Sequence, residues 1–180
     1  GTVLAQGVSL LASPFLTRIY GAESYGVATI FTALSNMIIP LANLRYEISI
    51  VLPENREDAA NLLALSMIST LIITSFISIL ILVGTDPILE ILNIKSLAPF
   101  VWLVPVVIFI TGISTALNYW CTRNRYFPQI SIAQVISQVV VTVGSLGFGF
   151  MGYRTGSTLI ICAIVGQLAT MMFFLFYVLY

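Results

Sequence analysis

The chain has 180 residues, of which 59% are hydrophobic and 8% are charged, with seven basic residues, seven acidic residues and no histidine. Soluble domains carry about 25% charged residues, so this composition argues against a soluble globular protein. The net charge of zero gives no reason to expect nucleic acid as a partner, and the lack of histidine excludes catalysis by a histidine base. The composition predicts an all-α integral membrane protein.

Six apolar segments lie between the clusters of charged residues, each long enough to cross a hydrocarbon layer of ~30 Å as a helix. In lipid the backbone must satisfy its own hydrogen bonds, so each segment is predicted to be helical. The links are short, and consecutive helices are therefore expected to be antiparallel. The predicted spans lie near residues 2–20, 25–52, 59–83, 97–118, 130–150 and 157–180.

The chain begins at Gly1 inside one apolar segment and ends at Tyr180 inside another. We therefore interpret it as a single helical lobe that is a fragment of a longer protein. Cys121 and Cys162 are too isolated to indicate a disulfide framework or a metal site. A G-x-G-x-x-G string at 147–152 follows a membrane span and opens no soluble βαβ unit, so no cofactor is predicted.

Polar residues recur along one face of three segments when positions are placed at about 100° per residue. In the first segment they are Thr2, Gln6, Ser9, Ser13 and Thr17. In the second they are Thr29, Thr32, Asn36, Asn43 and Glu47. In the fifth they are Ser131, Gln134, Gln138, Thr142 and Ser145. Hydrogen bonds between helices, at roughly 0.6 kcal/mol each, are one interpretation. A water-filled cavity is the other, and it accounts better for the long amide side chains.

Arg45 and Glu47 lie within an otherwise apolar stretch. Two positions apart on a helix, they point in directions about 200° apart and form no ion pair on one face. An ionisable residue inside a span is a functional candidate, and Glu47 continues the polar face of its segment. The alternative for Arg45 is that its side chain extends to the lipid phosphates.

Orientation is weakly determined, because the basic residues divide equally between the two sets of links. Arg45 and the pair Arg123 and Arg125 favour a cytoplasmic N-terminus. The resulting prediction is that two of the link residues face the cytoplasm, Asn55 and Asn124. Three others are predicted to face outwards, namely Ser24, Asn93 and Thr155.

Three segments of the sequence resemble a family of bacterial polysaccharide biosynthesis proteins, the flippases of O-antigen and capsule repeat units. The first is TRIYGAESYG at 17–26, and the second is LRYEISIVLP at 44–53 followed by AANL at 59–62. The third, YWCTR at 119–123, is less specific. The resemblance covers most of the chain.

The resemblance implies the multidrug/oligosaccharidyl-lipid/polysaccharide exporter fold, in which two lobes of helices surround a central cleft. The chain would be most of the N-terminal lobe, in a bacterial cytoplasmic membrane, with the missing C-terminal lobe and membrane lipids as partners. The implied substrate is an oligosaccharide on undecaprenyl pyrophosphate, as in lipopolysaccharide export. Cationic residues of the family are thought to meet the pyrophosphate, and Arg18 and Arg45 occupy the matching motifs. The predicted substrate-binding residues are Gln6, Ser13, Arg18, Asn36, Asn43, Arg45 and Glu47.

Three other functions stay open at this point. A drug or ion antiporter of the same fold would need a carboxylate buried in a span, and only Glu47 offers one. A membrane glycosyltransferase or polymerase would need acidic or histidine residues on a sizeable external loop, which these short links do not provide. A purely structural helical subunit is the third alternative. The expectation is a transporter, not an enzyme, with no catalytic, metal or cofactor site.

Overall fold

A computed structural model describes residues 2–91 and 95–179, with side chains placed for residues 5–84 and 98–178. Every regular element in these ranges is a helix. Five helices in these ranges are long and apolar enough to cross a membrane, which confirms the prediction of an all-helical, multi-pass membrane protein. The elements are α1 (Thr2–Ala42), α2 (Tyr46–Ser49), α3 (Arg56–Ile91), a 3-10 helix (Lys95–Phe100), α4 (Leu103–Arg123), α5 (Phe127–Phe150) and α6 (Gly156–Leu179).

The longest helix, α1, consists of two limbs, each about long enough to cross a membrane. A straight helix of 41 residues would be about twice as long as the hydrocarbon layer is thick. The chain leaves helical geometry at Gly21, where φ is 71° and ψ is 165°, a conformation that glycine adopts at little cost. The limbs 2–20 and 22–42 then lie side by side, since Ser9 and Asn36 line the same cavity. The first two predicted spans correspond to these limbs.

The second limb ends earlier than the sequence suggests. The predicted span runs to residue 52, whereas α1 ends at Ala42 and a turn follows, with positive φ at Leu44 (49°) and Arg45 (61°). The backbone N–H of Tyr46 donates to the Asn43 carbonyl at 3.0 Å and closes the turn. The apolar composition is the same on both sides of the turn, and periodicity therefore could not locate it.

The remaining spans differ from prediction mainly at their ends. The fourth begins at Leu103, six residues after the predicted start at 97, because the segment containing Pro99 forms a 3-10 helix instead. It also continues to Arg123, beyond the predicted end at 118. α3 has a non-helical residue at Gly84 (φ −138°, ψ 32°), one residue after the predicted end of that span.

The links gather at two ends of the bundle. At the first, which we call the Gly21 end, Ser24 Oγ donates to the Arg154 carbonyl at 3.2 Å. At the second, the Arg123 end, Arg123 Nη2 lies 3.0 Å from the carbonyl oxygen of Pro53 and 3.1 Å from that of Asn55. Within the described ranges, six helical segments run between these ends, counting each limb of α1 once.

The predicted grouping of links agrees with this arrangement. Asn55 and Asn124 lie at the Arg123 end, and Ser24 and Thr155 lie at the Gly21 end. Asn93 is outside the described residues, as are Gly1 and Tyr180. Which end faces the cytoplasm stays a prediction.

The apolar residues of the bundle are either buried between helices or exposed on a surface that lipid could cover. Phe31 of α1, Ile108 of α4 and Ile160 of α6 are buried together and join the second limb to the later helices. One face of α3 is instead exposed and largely apolar, with Ser75 as an exposed polar residue, and lipid chains would cover this surface in a membrane. Its members include Ile68, Ile72, Phe76 and Ile79.

Candidate functional site

A cavity of about 410 Å³ lies between the two limbs of α1 and helix α5. Its volume is within the range of small-molecule sites, about 300–1,000 Å³. The polar side chains at its wall come from all three segments. They are Ser9, Tyr25, Thr29, Thr32, Asn36, Gln138, Thr142 and Ser145.

Two further cavities adjoin the first. One, of about 310 Å³, lies between the first limb, α5 and α6, and the other, of about 170 Å³, lies between the second limb, α4, α5 and α6. Gln138 lines all three cavities, and Gln167 lines the second and third. We call these three adjoining cavities, which share Gln138 in their walls, the polar cleft.

The cleft follows from the helical spacing of α5. Gln134, Gln138, Thr142 and Ser145 recur at intervals of three or four residues and lie on one side of the helix. At about 1.5 Å per residue, the distance from 134 to 145 is roughly 16 Å, or half of the hydrocarbon thickness. The cleft therefore reaches well into the membrane.

Most amide groups at the cleft wall are free to bind another molecule. Gln138 Nε2 makes one long hydrogen bond, at 3.3 Å, to Thr142 Oγ1. Hydroxyls of the second limb are occupied by their own helix, since Thr29 and Thr32 each donate to a carbonyl at 2.8 Å. Four lining amides make no side-chain hydrogen bond within the described ranges, namely those of Gln6, Asn36, Gln134 and Gln167.

The cleft carries no formal charge. Among the described residues that line the three cavities there is no aspartate, glutamate, lysine or arginine. Its polarity comes from amides, which both donate and accept hydrogen bonds, and from hydroxyls. The arrangement suits a polar, uncharged ligand or water.

The structure brings part of the predicted binding set together. Gln6 and Asn36 are exposed and line the cleft from the two limbs of α1. Ser13 is half-buried and lines none of the three cavities, because the first limb faces the cleft through Ser9, Ala12 and Leu16.

Asn43 lies away from the cleft. It is fully buried, with its Nδ2 donating to the Gly112 carbonyl at 3.2 Å and its Oδ1 accepting from the Thr70 hydroxyl. Ser69 Oγ also lies 3.4 Å from the Ala42 carbonyl. We call Asn43, Ser69 and Thr70, with the carbonyls of Ala42 and Gly112, the Asn43 cluster. The predicted common face of Asn36 and Asn43 is interrupted, because the helix ends between them.

Glu47 is also buried away from the cleft. It sits in the four-residue helix α2, is 4% exposed, and its Oε2 has no hydrogen-bond partner among the described residues. The predicted common face of Glu47 and Asn36 is lost for the same reason as for Asn43.

The two candidate arginines lie outside the three cavities. Arg18 is exposed near the Gly21 end, and Arg45 is exposed in the turn after α1. Around Arg18, the segment 17–26 builds the reversal of α1. Tyr20 Oη donates to the Ser145 carbonyl at 2.6 Å, and a Cβ on Gly149 would lie 2.7 Å from Ile19 Cγ2. The chain fragment that carries Arg18 is thus fixed against α5.

Several cleft residues were not predicted from the sequence. Gln167 and Thr170 of α6 line the second cavity, and Ser137 of α5 and Thr111 of α4 line the third. The available signal was Gln167 itself, an amide in the middle of the very apolar helix α6. Gln167 and Thr170 alone form too short a polar face, and periodicity therefore did not select them.

A protein-family model described as "Polysaccharide biosynthesis protein" matches residues 15–180, which is most of the chain. No curated protein and no solved structure gives a significant match.

Proposed function

Because the chain belongs to the polysaccharide biosynthesis protein family, we propose that it forms one lobe of a flippase for lipid-linked oligosaccharides. Family membership gives it a role in polysaccharide biosynthesis or export, and its helices make it a multi-pass membrane protein. The substrate of the proposed reaction is an oligosaccharide on undecaprenyl pyrophosphate, carried across the bacterial cytoplasmic membrane. The observation that carries the proposal is the polar cleft.

A flippase must shelter a hydrated glycan inside the membrane while the lipid chain stays in the bilayer. Moving hydroxyl groups out of water without new hydrogen bonds costs roughly 2–7 kcal/mol each. The free amides of the cleft, such as those of Gln6 and Asn36, offer replacement hydrogen bonds at membrane depth. The exposed apolar face of α3 is suited to lipid.

The diphosphate is expected to bind a cation outside the cleft. Arg18 and Arg45 are exposed and lie in the two more specific sequence motifs. A guanidinium stays charged and forms paired hydrogen bonds to phosphate oxygens. The proposal assigns the diphosphate to Arg18 or Arg45 and the sugars to the cleft, with no chemical step catalysed by the chain.

The experiment is glycan export by the full-length protein carrying substitutions at the two arginines. Arg→Lys at either position should retain partial transport, because an ammonium keeps the charge but not the paired geometry. The double variant Arg18→Ala, Arg45→Ala should lose most transport at normal protein levels. Full export by that double variant would refute the diphosphate role.

Ion-coupled transport is a second candidate, favoured by one observation. Glu47 is a buried carboxyl group whose Oε2 lacks a partner in the described part of the chain, and such groups in spans often move protons or ions. If Glu47 couples ion movement, Glu47→Gln should stop transport while Arg45→Lys does not. If Glu47 only packs against α3, the glutamine variant should fold and transport normally.

A further inference from the structure

We infer that the polar cleft selects uncharged glycans and that Gln138 is the residue that determines this specificity. The inference rests on the proposed function and adds the chemical class of the sugars that the site accepts. It concerns a different part of the substrate from the diphosphate.

The first ground is the hydrogen-bonding chemistry of the wall. The second cavity contains four glutamines, which we call the amide cluster: Gln6, Gln134, Gln138 and Gln167. Each amide has two donor hydrogens and one acceptor oxygen. Sugar hydroxyls and acetamido groups also combine donors and acceptors, so the wall can pair with them in either direction. The amides of Gln6, Gln134 and Gln167 have no other side-chain partner within the described ranges.

The second ground is the missing countercharge. A carboxylate of an acidic sugar would enter a cleft whose described lining contains no arginine or lysine. Removing a carboxylate from water is costly unless a cation or several hydrogen bonds compensate it. Arg18 and Arg45 cannot supply this inside the cleft, because neither lines any of the three cavities. Acidic glycans are therefore disfavoured.

The third ground is the position of Gln138. It is the side chain common to all three cavities, so a glycan occupying any of them meets it. Its backbone is held in place, because α5 packs closely on α6 at Gly166. A Cβ on Gly166 would collide with Val141 and would lie 3.1 Å from the Ser137 carbonyl oxygen. A side chain on a fixed helix can discriminate between ligands more sharply than one on a loop.

The test uses the purified full-length protein in lipid nanodiscs and two soluble tetrasaccharides without a lipid carrier. One is neutral and contains N-acetylhexosamine, and the other is identical except that one hexose is oxidised to a uronic acid. Titration calorimetry should show the neutral sugar binding at least tenfold more tightly. Gln138→Glu should weaken binding of both sugars, and of the acidic one most. Gln138→Lys should raise the affinity for the acidic sugar, a gain that a misfolded protein could not produce.

Asn61→Asp is the matched control, because it makes the same change of charge as Gln138→Glu at an exposed position of α3 that lines none of the three cavities. It should leave both affinities unchanged. Equal binding of the two sugars, or no response to Gln138→Lys, overturns the inference.

The outcomes separate this inference from the proposed function. If neither sugar binds while the protein still moves a lipid-linked glycan, the inference is wrong and the flippase function stands. If the neutral sugar binds in a Gln138-dependent way but no lipid-linked glycan is moved, the flippase function is wrong and the sugar site stands.

Discussion

The polar cleft and the Asn43 cluster both contain amide and hydroxyl side chains, but those of the cluster are buried and hydrogen-bonded whereas most amides of the cleft are not. In the cluster, Asn43 uses both ends of its amide, for the Gly112 carbonyl and the Thr70 hydroxyl, and it is fully buried. In the cleft, Asn36 is exposed and makes no side-chain hydrogen bond within the described ranges. The two asparagines are seven positions apart in the sequence.

The difference shows that a polar residue in a membrane helix has two distinct uses. Where neighbouring helices complete its hydrogen bonds, it fixes their packing, as at Asn43. Where they do not, it requires water or a ligand, as at Asn36. What decides between the two is the helix end at Ala42, which turns Asn43 away from the cleft and towards α3 and α4.

The largest expected effect is on stability, from replacing the two asparagines in turn. Asn43→Leu should destabilise the fold by about 2 kcal/mol, because it removes two buried hydrogen bonds, one to the Gly112 carbonyl and one from the Thr70 hydroxyl, which keeps only the Ser66 carbonyl as acceptor. Asn36→Leu should change stability by less than about 0.5 kcal/mol, since it removes no hydrogen bond. Denaturant unfolding in detergent micelles measures both. Equal losses would mean that the cleft is also a packed contact.

The next largest effect is expected in the water accessibility of two positions, Ser9 in the cleft and Ser69 in the Asn43 cluster. Ser9 is exposed in the cleft and Ser69 is buried in the Asn43 cluster. With Ser9→Cys and Ser69→Cys, a water-soluble thiol reagent should react at least tenfold faster at position 9, because a local opening that costs about 1.4 kcal/mol already lowers access tenfold.

The unmodified chain is the control for this labelling, since its Cys121 and Cys162 are both buried. Similar rates at positions 9 and 69 would contradict a hydrated cleft.

The smallest effect is expected from added methyl groups. A Cβ on Gly112 would lie 2.6 Å from Thr70 Cγ2, so Gly112→Ala should destabilise the protein by about 1 kcal/mol through overpacking. Gly147 has no atom within 4 Å of an added Cβ, and Gly147→Ala should be neutral or slightly stabilising in its helix. A stable Gly112→Ala variant would show that α3 and α4 can separate at the cluster without cost.

Composition and periodicity predicted the helices and the polar faces of three of the five segments that line the cleft, namely the two limbs of α1 and α5. The stripe of α5 and the residues Gln6, Ser9 and Asn36 were found because each lies on a regular helix. Periodicity failed at the end of the helix. It placed Asn43 and Glu47 on the same face as Asn36, although α1 ends at Ala42 and the helical spacing no longer applies beyond it. It also missed Gln167, whose role depends on the packing of α6 against α5.

Arg18 and Arg45 show a different limit of prediction from sequence. Their sequence motifs were informative about the family, but the described contacts of the first motif are structural: the reversal at Gly21 and the hydrogen bond from Tyr20 to α5. Exposure of a cation is a property of the folded surface and cannot be read from a motif. The link between these side chains and the diphosphate therefore depends on the transport experiment.

The hydrogen bond between the Tyr20 hydroxyl and the Ser145 carbonyl also sets an order for biogenesis. Its partners are 125 residues apart, which at about 5–20 residues per second corresponds to roughly 6–25 s of synthesis. During that interval the second limb, α3 and α4 are synthesised, and the wall formed by α5 is completed only at its end. The polar side of the first limb must wait beside the second limb, the translocation machinery or lipid, and the cleft closes only when α5 arrives.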